Sequence, residues 1–314
     1  MLKASKLGIV LVAMATQMMG APITGVLNIF GDVRVSAPGG VGNIDFLLPV
    51  GPPDGDFFVS TPLSQEGDFV ALVETKARAR AIDETQGSLT FGYDLSQRSH
   101  FDFPDLDRQS HRFSADGRIK AGPAELGAAY DFIHFRLGGD ALVNIQGIEP
   151  RLTVPVSQRT RVTASYRYEN WNFVNLDARD TNNHMIALSV AHQFSTDTQL
   201  TVRIRFEDVD AVEARFDLHG FQLNAALALP LRVIDRRDTA RIEFEYRDRD
   251  YENVTPSIGE RRREDRSVIT ATSDMYLSDR IGVRTAIRYT DRNSNFPTSN
   301  YEEIRASTGL VIRL

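Results

Sequence analysis

The stretch TARIEFEYRDRDY, from Thr239 to Tyr251, alternates between two kinds of side chain. Ala, Ile, Phe and Tyr occupy the even positions from 240 to 246, and Arg or Glu occupies every odd position from 241 to 249. Because successive side chains of a β-strand point to opposite faces, this alternation predicts a strand with one apolar and one charged face. A soluble protein can contain one such strand, but here the pattern recurs along most of the chain.

The recurrence predicts about twelve strands of about ten residues each between residue 84 and residue 314. Clear examples run from Leu89 to Leu95, from Val162 to Tyr168 and from Leu200 to Phe206. Short connections, such as GP at 122–123 and STDT at 195–198, alternate with long polar ones, such as NFVNLDARDTNN at 172–183, ENVTPSIGERRRED at 252–265 and DRNSNFPTSN at 291–300. An even number of amphipathic strands, with short turns at one end and long loops at the other, is typical of a transmembrane β-barrel.

The predicted fold is therefore all-β, an antiparallel up-and-down barrel in a membrane. In hydrocarbon every backbone polar group must be paired within the protein, so only a closed sheet is stable there. A soluble β-sandwich or lipocalin-like barrel is the alternative. The soluble alternative is less consistent with the sequence, because such a protein would need neither a dozen strands of near-equal length nor so many arginines opposite the apolar face. Aromatic residues near the long loops predict a girdle at the membrane interface: Tyr166, Tyr168, Trp171, Phe206, Tyr246, Tyr251, Tyr289 and Tyr301.

The N-terminus predicts export. MLKASK carries two lysines and precedes LGIVLVAMATQMMGA, a run typical of a secretory signal peptide, which we assign to residues 1–21. Residues 22–83 are rich in Gly, Pro and Asp and predict a short N-terminal segment, either periplasmic or a plug in the lumen. Within it, FVALVETKARARAID at 69–83 is a possible extra strand. The barrel is assigned to residues 84–314, with both of its chain ends in the periplasm.

The charges separate by face. The net charge is -6, which argues against a nucleic-acid partner, and the absence of Cys excludes disulfides and thiolate metal sites. The predicted lumenal face nevertheless carries an excess of basic groups, while the loops hold much of the acid. The residues predicted to line a pore are Arg161, Arg167, Arg203, Arg205, Arg241, Glu243, Glu245, Arg247, Arg284, Arg288 and Arg305.

The second half of the chain resembles Gram-negative outer-membrane barrels of the porin-like and surface-lipoprotein-assembly-modifier C-terminal type. The resemblance lies in YRYENWNF at 166–173, FEYRDRDYENV at 244–254 and IRYTDRNSNFPTSNYEEIRASTGLVIRL at 287–314. It implies residence in the outer membrane, contact with its lipid and lipopolysaccharide, and a last strand that is read by the barrel assembly machinery. Such chains usually end in Phe or Trp, whereas this one ends in Leu314.

Two functions follow from this architecture. Arginine ladders around an open lumen predict a narrow porin-like channel for small solutes, with a preference for anionic ones. Arginines paired with carboxylates on neighbouring strands would instead fill the lumen, and the chain would act as a scaffold or an assembly and export factor for surface material.

The sequence predicts no enzyme, no cofactor and no metal site. Ser189 and His192 are three residues apart, so they face opposite sides of a strand and cannot form a Ser–His pair. His100 and His111 flank a loop with Asp102, Asp105 and Asp107, a residue set that can bind a metal ion, but a solvated loop is the simpler and favoured interpretation.

Overall fold

The computed structural model describes residues 23–36, 42–45, 58–63, 69–83, 86–100, 104–231, 238–278, 280–296 and 299–313. These residues are almost entirely β-strand, and none of them belongs to a helix long and apolar enough to cross a bilayer. The strands are β1 (Ile23–Ser36), β2 (Gly42–Asp45), β3 (Phe58–Leu63), β4 (Phe69–Asp83), β5 (Gly87–His100), β6 (Arg108–Ala121), β7 (Ala124–Leu137), β8 (Asp140–Pro155), β9 (Thr160–Phe173), β10 (Thr181–Ser195), β11 (Thr198–Ala211), β12 (Leu218–Pro230), β13 (Thr239–Thr255), β14 (Glu260–Tyr276), β15 (Ile281–Ser294) and β16 (Tyr301–Arg313).

The strands form a closed antiparallel barrel in which each of β4 to β16 pairs with its neighbour in sequence. β1 closes the barrel, because it pairs with β16 on one edge, Val33 opposite Ala306, and with β4 on the other, Asn28 opposite Glu74. β2 and β3 form a separate two-stranded sheet. The predicted fold class is confirmed.

The twelve strands predicted between residues 84 and 314 are present as β5 to β16, but the predicted N-terminal boundary of the barrel is wrong. β1 and β4 belong to the barrel, so the sheet contains strands from the region assigned to a separate segment at 22–83, and the suggested extra strand at 69–83 is real. Local pattern could not reveal this, since the partner of β1 is β16 at the far end of the chain. The predicted signal peptide at residues 1–21 lies outside the described residues.

The two ends of the barrel differ as predicted. We call the turn end the one that carries the connections 84–86, 122–123, 156–159, 196–197, 231–238 and 277–280, together with residues 23 and 313. The loop end carries 37–68, 101–107, 138–139, 174–180, 212–217, 256–259 and 295–300. The loops are shorter than expected because β13 and β14, for example, extend through charged residues that were assigned to a loop.

An apolar belt covers the outside of the barrel. On β10, Ile186, Leu188 and Val190 are 64%, 51% and 38% exposed, and the alternate residues Met185 and Ala187 are buried. His184 bounds the belt near the loop end, where the Tyr166 hydroxyl lies 2.7 Å from its Nδ1. In a soluble barrel the apolar face is the buried one, whereas here a row of large apolar side chains is exposed on the outside, which fits contact with acyl chains.

Two details differ from the predicted girdle and strands. Trp171 donates its Nε1–H to Glu169 at 2.8 Å on the inner face, and Tyr251 is buried there, so neither belongs to an outer girdle. Pro150 lies inside β8 opposite Ala128 of β7, although proline cannot donate a backbone hydrogen bond to a sheet. Its missing N–H coincides with a gap in the β8–β9 ladder between Ile148 and Arg151.

Candidate functional site: the lumenal arginines

Strand register assigns the predicted pore-lining residues to one face. All eleven share the face that carries the buried polar side chains and is opposite the exposed apolar belt. They differ in depth: Arg167, Arg205 and Arg247 are buried, whereas Arg161 and Arg241, close to the turn end, are exposed. The closed sheet therefore brings them around one lumen, and their part in lining a conducting path stays a prediction.

One row of this face is strongly basic. Successive register partners across β11 to β15 are Arg205, Gln222, Arg247, Arg266 and Arg292. We call these five residues the arginine row. Each is nearly inaccessible, with 3%, 1%, 3%, 2% and 1% exposure respectively. Four guanidinium groups in one row of register partners concentrate positive charge on this wall of the barrel.

Acidic rows flank the arginine row on both sides. Toward the loop end, Glu264 accepts a hydrogen bond of 2.6 Å from Nη2 of Arg292, and toward the turn end Glu245 accepts one from Nη2 of Arg266. Basic groups still outnumber acidic ones on the inner face of β11 to β16. The basic ones are Arg203, Arg205, Arg241, Arg247, Arg249, Arg262, Arg266, Arg284, Arg288, Arg292 and Arg305. The acidic ones are Glu207, Glu243, Glu245, Glu260, Glu264, Asp274 and Glu303.

Several ion pairs cross a whole strand by passing over a glycine. Arg167 of β9 reaches past Gly147 of β8 and donates to both carboxylate oxygens of Asp131 on β7, at 3.0 and 2.9 Å. A Cβ on Gly147 would lie 2.6 Å from Nη2 of Arg167. The same guanidinium donates from Nε to Glu169 at 2.5 Å. The missing side chain thus lets the pair lie flat against the wall instead of projecting into the lumen.

The arrangement is repeated twice elsewhere. Arg249 of β13 donates from Nε to Glu207 of β11 at 2.6 Å across Gly220 of β12. Arg151 of β8 pairs with Asp116 of β6 at 2.5 Å across Gly127 of β7. These glycines keep the strand-crossing ion pairs close to the backbone. The inner face can therefore carry many charged side chains although not all of them project toward the barrel axis.

Arg288 is bonded differently from the arginine row. Its Nε donates to Thr290 at 3.4 Å, and among the described side chains no carboxylate forms an ion pair with it. It lies opposite Arg305 in the register, and Arg305 itself pairs with Glu303 at 3.4 Å. Nearer the turn end, Arg284 makes two bonds to Asp274, at 2.5 and 2.7 Å. Arg288 is thus a lumenal cation with little local compensation.

The wall formed by β7 to β9 is apolar near the loop end. Ile133, Phe135, Val143, Ile145 and Phe173 form a cluster with exposures from 0% to 6%. All five share the inner face with Asp131 and Arg167. The lumen therefore has an apolar wall on one side and the arginine row on the other.

Sequence reasoning missed Arg262, Arg266 and Arg292 as inner-face residues of strands. Arg262 and Arg292 stand in stretches that were assigned to loops, GERRRED at 259–265 and DRNSNFPTSN at 291–300. A signal was present, because the inner face of the apolar strand RSVITATSDMYL continues at the same parity through Arg266, Glu264 and Arg262. The uniformly polar outer face of these extensions, with Arg263 and Asp265, concealed the alternation.

The suggested metal site between His100 and His111 does not form. His100 is buried on the inner face, while His111 lies on the outer face with its Nδ1 2.8 Å from the Tyr93 hydroxyl. Asp107 accepts a hydrogen bond of 2.7 Å from the backbone N–H of His100 and so caps the strand.

A different exposed group, Asp208, His219 and Glu252, has metal-ligating atoms within 4.8 Å of one another. Here, however, the two ring nitrogens of His219 are directed to different carboxylates, Nδ1 to Asp208 at 3.0 Å and Nε2 to Glu252 at 2.5 Å. An imidazole bridging two carboxylates fits this geometry better than three ligands around one ion.

Comparison with known proteins supports the architecture. No protein-family model matches the chain, and no curated protein matches its sequence. The solved structure of outer-membrane expressed OmpT of Vibrio cholerae aligns over 93% of this chain and 97% of its own, with a TM-score of 0.51 and 7% identity. An anion-selective porin from Comamonas acidovorans aligns over 94% of this chain and 99% of its own, with a TM-score of 0.50 and 7% identity. The chain has the fold of Gram-negative outer-membrane β-barrel porins.

Proposed function

We propose that this outer-membrane barrel is a narrow porin-like channel that favours small anions. The observation that carries the proposal is the arginine row, four buried guanidinium groups that line one wall of the lumen on β11, β13, β14 and β15. Rings and ladders of charge set the selectivity of a pore because the low-dielectric walls strengthen their field at close range. The basic excess on this half of the barrel lowers the electrostatic barrier for anions and raises it for cations.

The barrel size supports a narrow path. About 8 strands enclose only enough space for side chains, and about 16 leave an aqueous channel. The barrel described here has fourteen strands. The strand-crossing ion pairs over Gly127, Gly147 and Gly220 lie against the wall and so leave room near the axis. One structural neighbour is an anion-selective porin, but the proposal for this chain rests on its own arginines.

The test is single-channel conductance in a planar bilayer, with the reversal potential measured across a tenfold KCl gradient. Strong anion preference gives a reversal potential that approaches about 59 mV in magnitude, with the sign expected for chloride. Arg288→Gln removes a lumenal charge that lacks a described carboxylate partner, and the reversal potential should move toward zero. The matched control is Arg263→Gln on the outer face, where the side chain is 77% exposed, and it should change nothing. Cation preference in the unmodified protein would refute the proposal.

A second function is favoured by the depth of burial. Glu169, Arg266 and Arg292 are 0%, 2% and 1% exposed, which is expected of a filled interior rather than a wet channel wall. On this reading the chain is a non-conducting barrel that serves as scaffold or assembly and export factor for surface material. Complete absence of conductance steps, from protein whose folded state is verified by heat-modifiable gel mobility, would favour it.

The proposed partners follow from the surface. The exposed apolar belt would contact outer-membrane lipid, and the charged strand extensions at the loop end would lie level with lipopolysaccharide headgroups. Recognition of β16 by the barrel assembly machinery and passage of small solutes complete the proposal. In this function the protein is a transporter without catalytic residues.

A further inference from the structure

Two loops at the loop end are fastened to each other and to β13. The backbone N–H of Val212 donates to the backbone carbonyl of Asp180 at 2.9 Å, and the N–H of Glu213 donates to the backbone carbonyl of Ala178 at 3.0 Å. The N–H of Glu252 on β13 donates to Asp217 at 3.0 Å. Loops 174–180 and 212–217 therefore form one hydrogen-bonded platform with the end of β13, and side chains mounted on it are held in place.

Each loop of this platform is also closed on itself by an aspartate. The side-chain carboxylate of Asp180 accepts a hydrogen bond of 2.7 Å from the backbone N–H of Phe173, and that of Asp217 accepts one of 2.7 Å from the backbone N–H of Ala211. In both loops a 3₁₀ turn precedes the aspartate, at Asp177–Arg179 and Ala214–Phe216. Asp180 and Asp217 thus accept hydrogen bonds from backbone N–H groups instead of pairing with the basic residues of the two turns.

Three guanidinium groups gather around aromatic rings on this platform. Arg179 and Arg215 both stack on Phe216, with Cζ 5.3 and 4.8 Å from the ring centroid. Arg262 of β14 stacks between Tyr251, at 5.0 Å, and Phe296, at 4.8 Å. Tyr251 and Arg262 belong to the inner face, so the group lies at the mouth of the lumen. We call Arg179, Arg215 and Arg262 the mouth arginines.

The mouth arginines are unequally compensated. Arg215 pairs with Glu213 at 2.8 Å, and Arg262 pairs with Glu264 and donates to Ser299 at 2.9 Å. Arg179 contacts the ring of Phe216, but no described carboxylate forms an ion pair with it. Burial, followed by the positive charge of Arg215, lowers the pKa of the Arg179 guanidinium. A half-buried cation held beside two other cations is stabilised when an anion joins them.

We propose that the mouth arginines form an oxyanion-binding site, in which Arg179 supplies the free guanidinium fork and Phe216 fixes its plane. The ligand is the phosphate or carboxylate group of a solute, since planar guanidinium donors match these oxyanions in bidentate geometry. The inference rests on the proposed channel function and gives it a first binding step, in which the mouth captures the anion before the arginine row passes it on.

The test is titration of inorganic pyrophosphate into the refolded full chain in detergent free of lipopolysaccharide, followed by calorimetry at low salt. The unmodified protein should bind, Arg179→Gln should weaken binding about tenfold, and Arg179→Lys should retain part of it because the charge remains. Arg263→Gln on the outer face is the matched control and should bind as the unmodified protein does. Heat-modifiable gel mobility verifies that each variant is folded. Equal binding by Arg179→Gln and the unmodified protein, or no binding by either, would overturn the site.

Two further arms separate the alternatives. If Arg179→Gln loses retention of lipopolysaccharide on the gel while pyrophosphate binding is unchanged, the oxyanion is a lipid headgroup and the solute site is refuted. Conductance measured in parallel separates this site from the channel itself. Arg179-dependent pyrophosphate binding by a barrel that does not conduct would support the binding site and refute the channel. Anion-selective conductance, together with pyrophosphate binding that Arg179→Gln does not change, would support the channel and refute the binding site.

Discussion

Gly147→Ala tests whether the strand-crossing ion pairs depend on their glycines. The added Cβ would lie 2.6 Å from Nη2 of Arg167 and 3.1 Å from its Cζ, whereas ordinary contact begins about 0.8 Å further out than the first distance. Arg167 is 5% exposed and makes hydrogen bonds to Asp131 and Glu169 at 2.5 to 3.0 Å. It cannot withdraw by that amount without lengthening at least one of these bonds.

The expected loss is about 2 to 3 kcal/mol. Overpacking of a tight site costs about 1 to 3 kcal/mol, and complete loss of one partner of a buried pair costs about 3 to 5 kcal/mol. A displaced but surviving pair belongs between these limits. Urea unfolding in lipid vesicles measures it through the fluorescence of Trp171, the only tryptophan of the chain. Its Nε1 donates to Glu169, which also binds Arg167, so the probe reports on this network directly.

The matched control is Gly117→Ala, also inside a strand. There the added Cβ meets nothing closer than 3.9 Å, so the change should stay within about 0.5 kcal/mol. In an Arg167→Met background most of the cost of Gly147→Ala should disappear, because the clashing guanidinium is gone. Equal free energies of unfolding for Gly147→Ala and Gly117→Ala would refute the reasoning.

Two other changes test the belt and the loops. Leu188→Arg should destabilise the barrel by about 2 to 4 kcal/mol because the charge meets hydrocarbon, while Ser189→Arg, one residue along and facing the lumen, should cost much less. Similar unfolding midpoints in vesicles for these two variants would contradict the assigned faces. Asp180→Ala leaves the N–H of Phe173 without its acceptor and should cost about 1 to 2 kcal/mol in urea unfolding. Asp177→Ala, whose side chain is exposed, serves as its control, and a loss as large as that of Asp180→Ala would argue against the cap.

Side-chain alternation alone determined much of this protein. A period of two along TARIEFEYRDRDY and its repeats predicted strands, their faces and the two unlike barrel ends, because strand geometry links neighbouring positions in sequence to opposite faces of a sheet. The same argument assigns Arg205, Arg247 and Arg288 to the inner face from the sequence alone.

The tertiary structure decided what depends on contacts between distant strands. Closure by β1 could not be read from its sequence, since its partners are β4 and β16. The arginine row exists only because the pairing registers of four successive strand pairs connect Arg205 to Arg292. Whether an inward arginine lies against the wall or stands free depends on the residue opposite it on the next strand, such as Gly147 beneath Arg167. The sequence pattern gives the face of each side chain, and hydrogen-bond register across the closed sheet gives its neighbours.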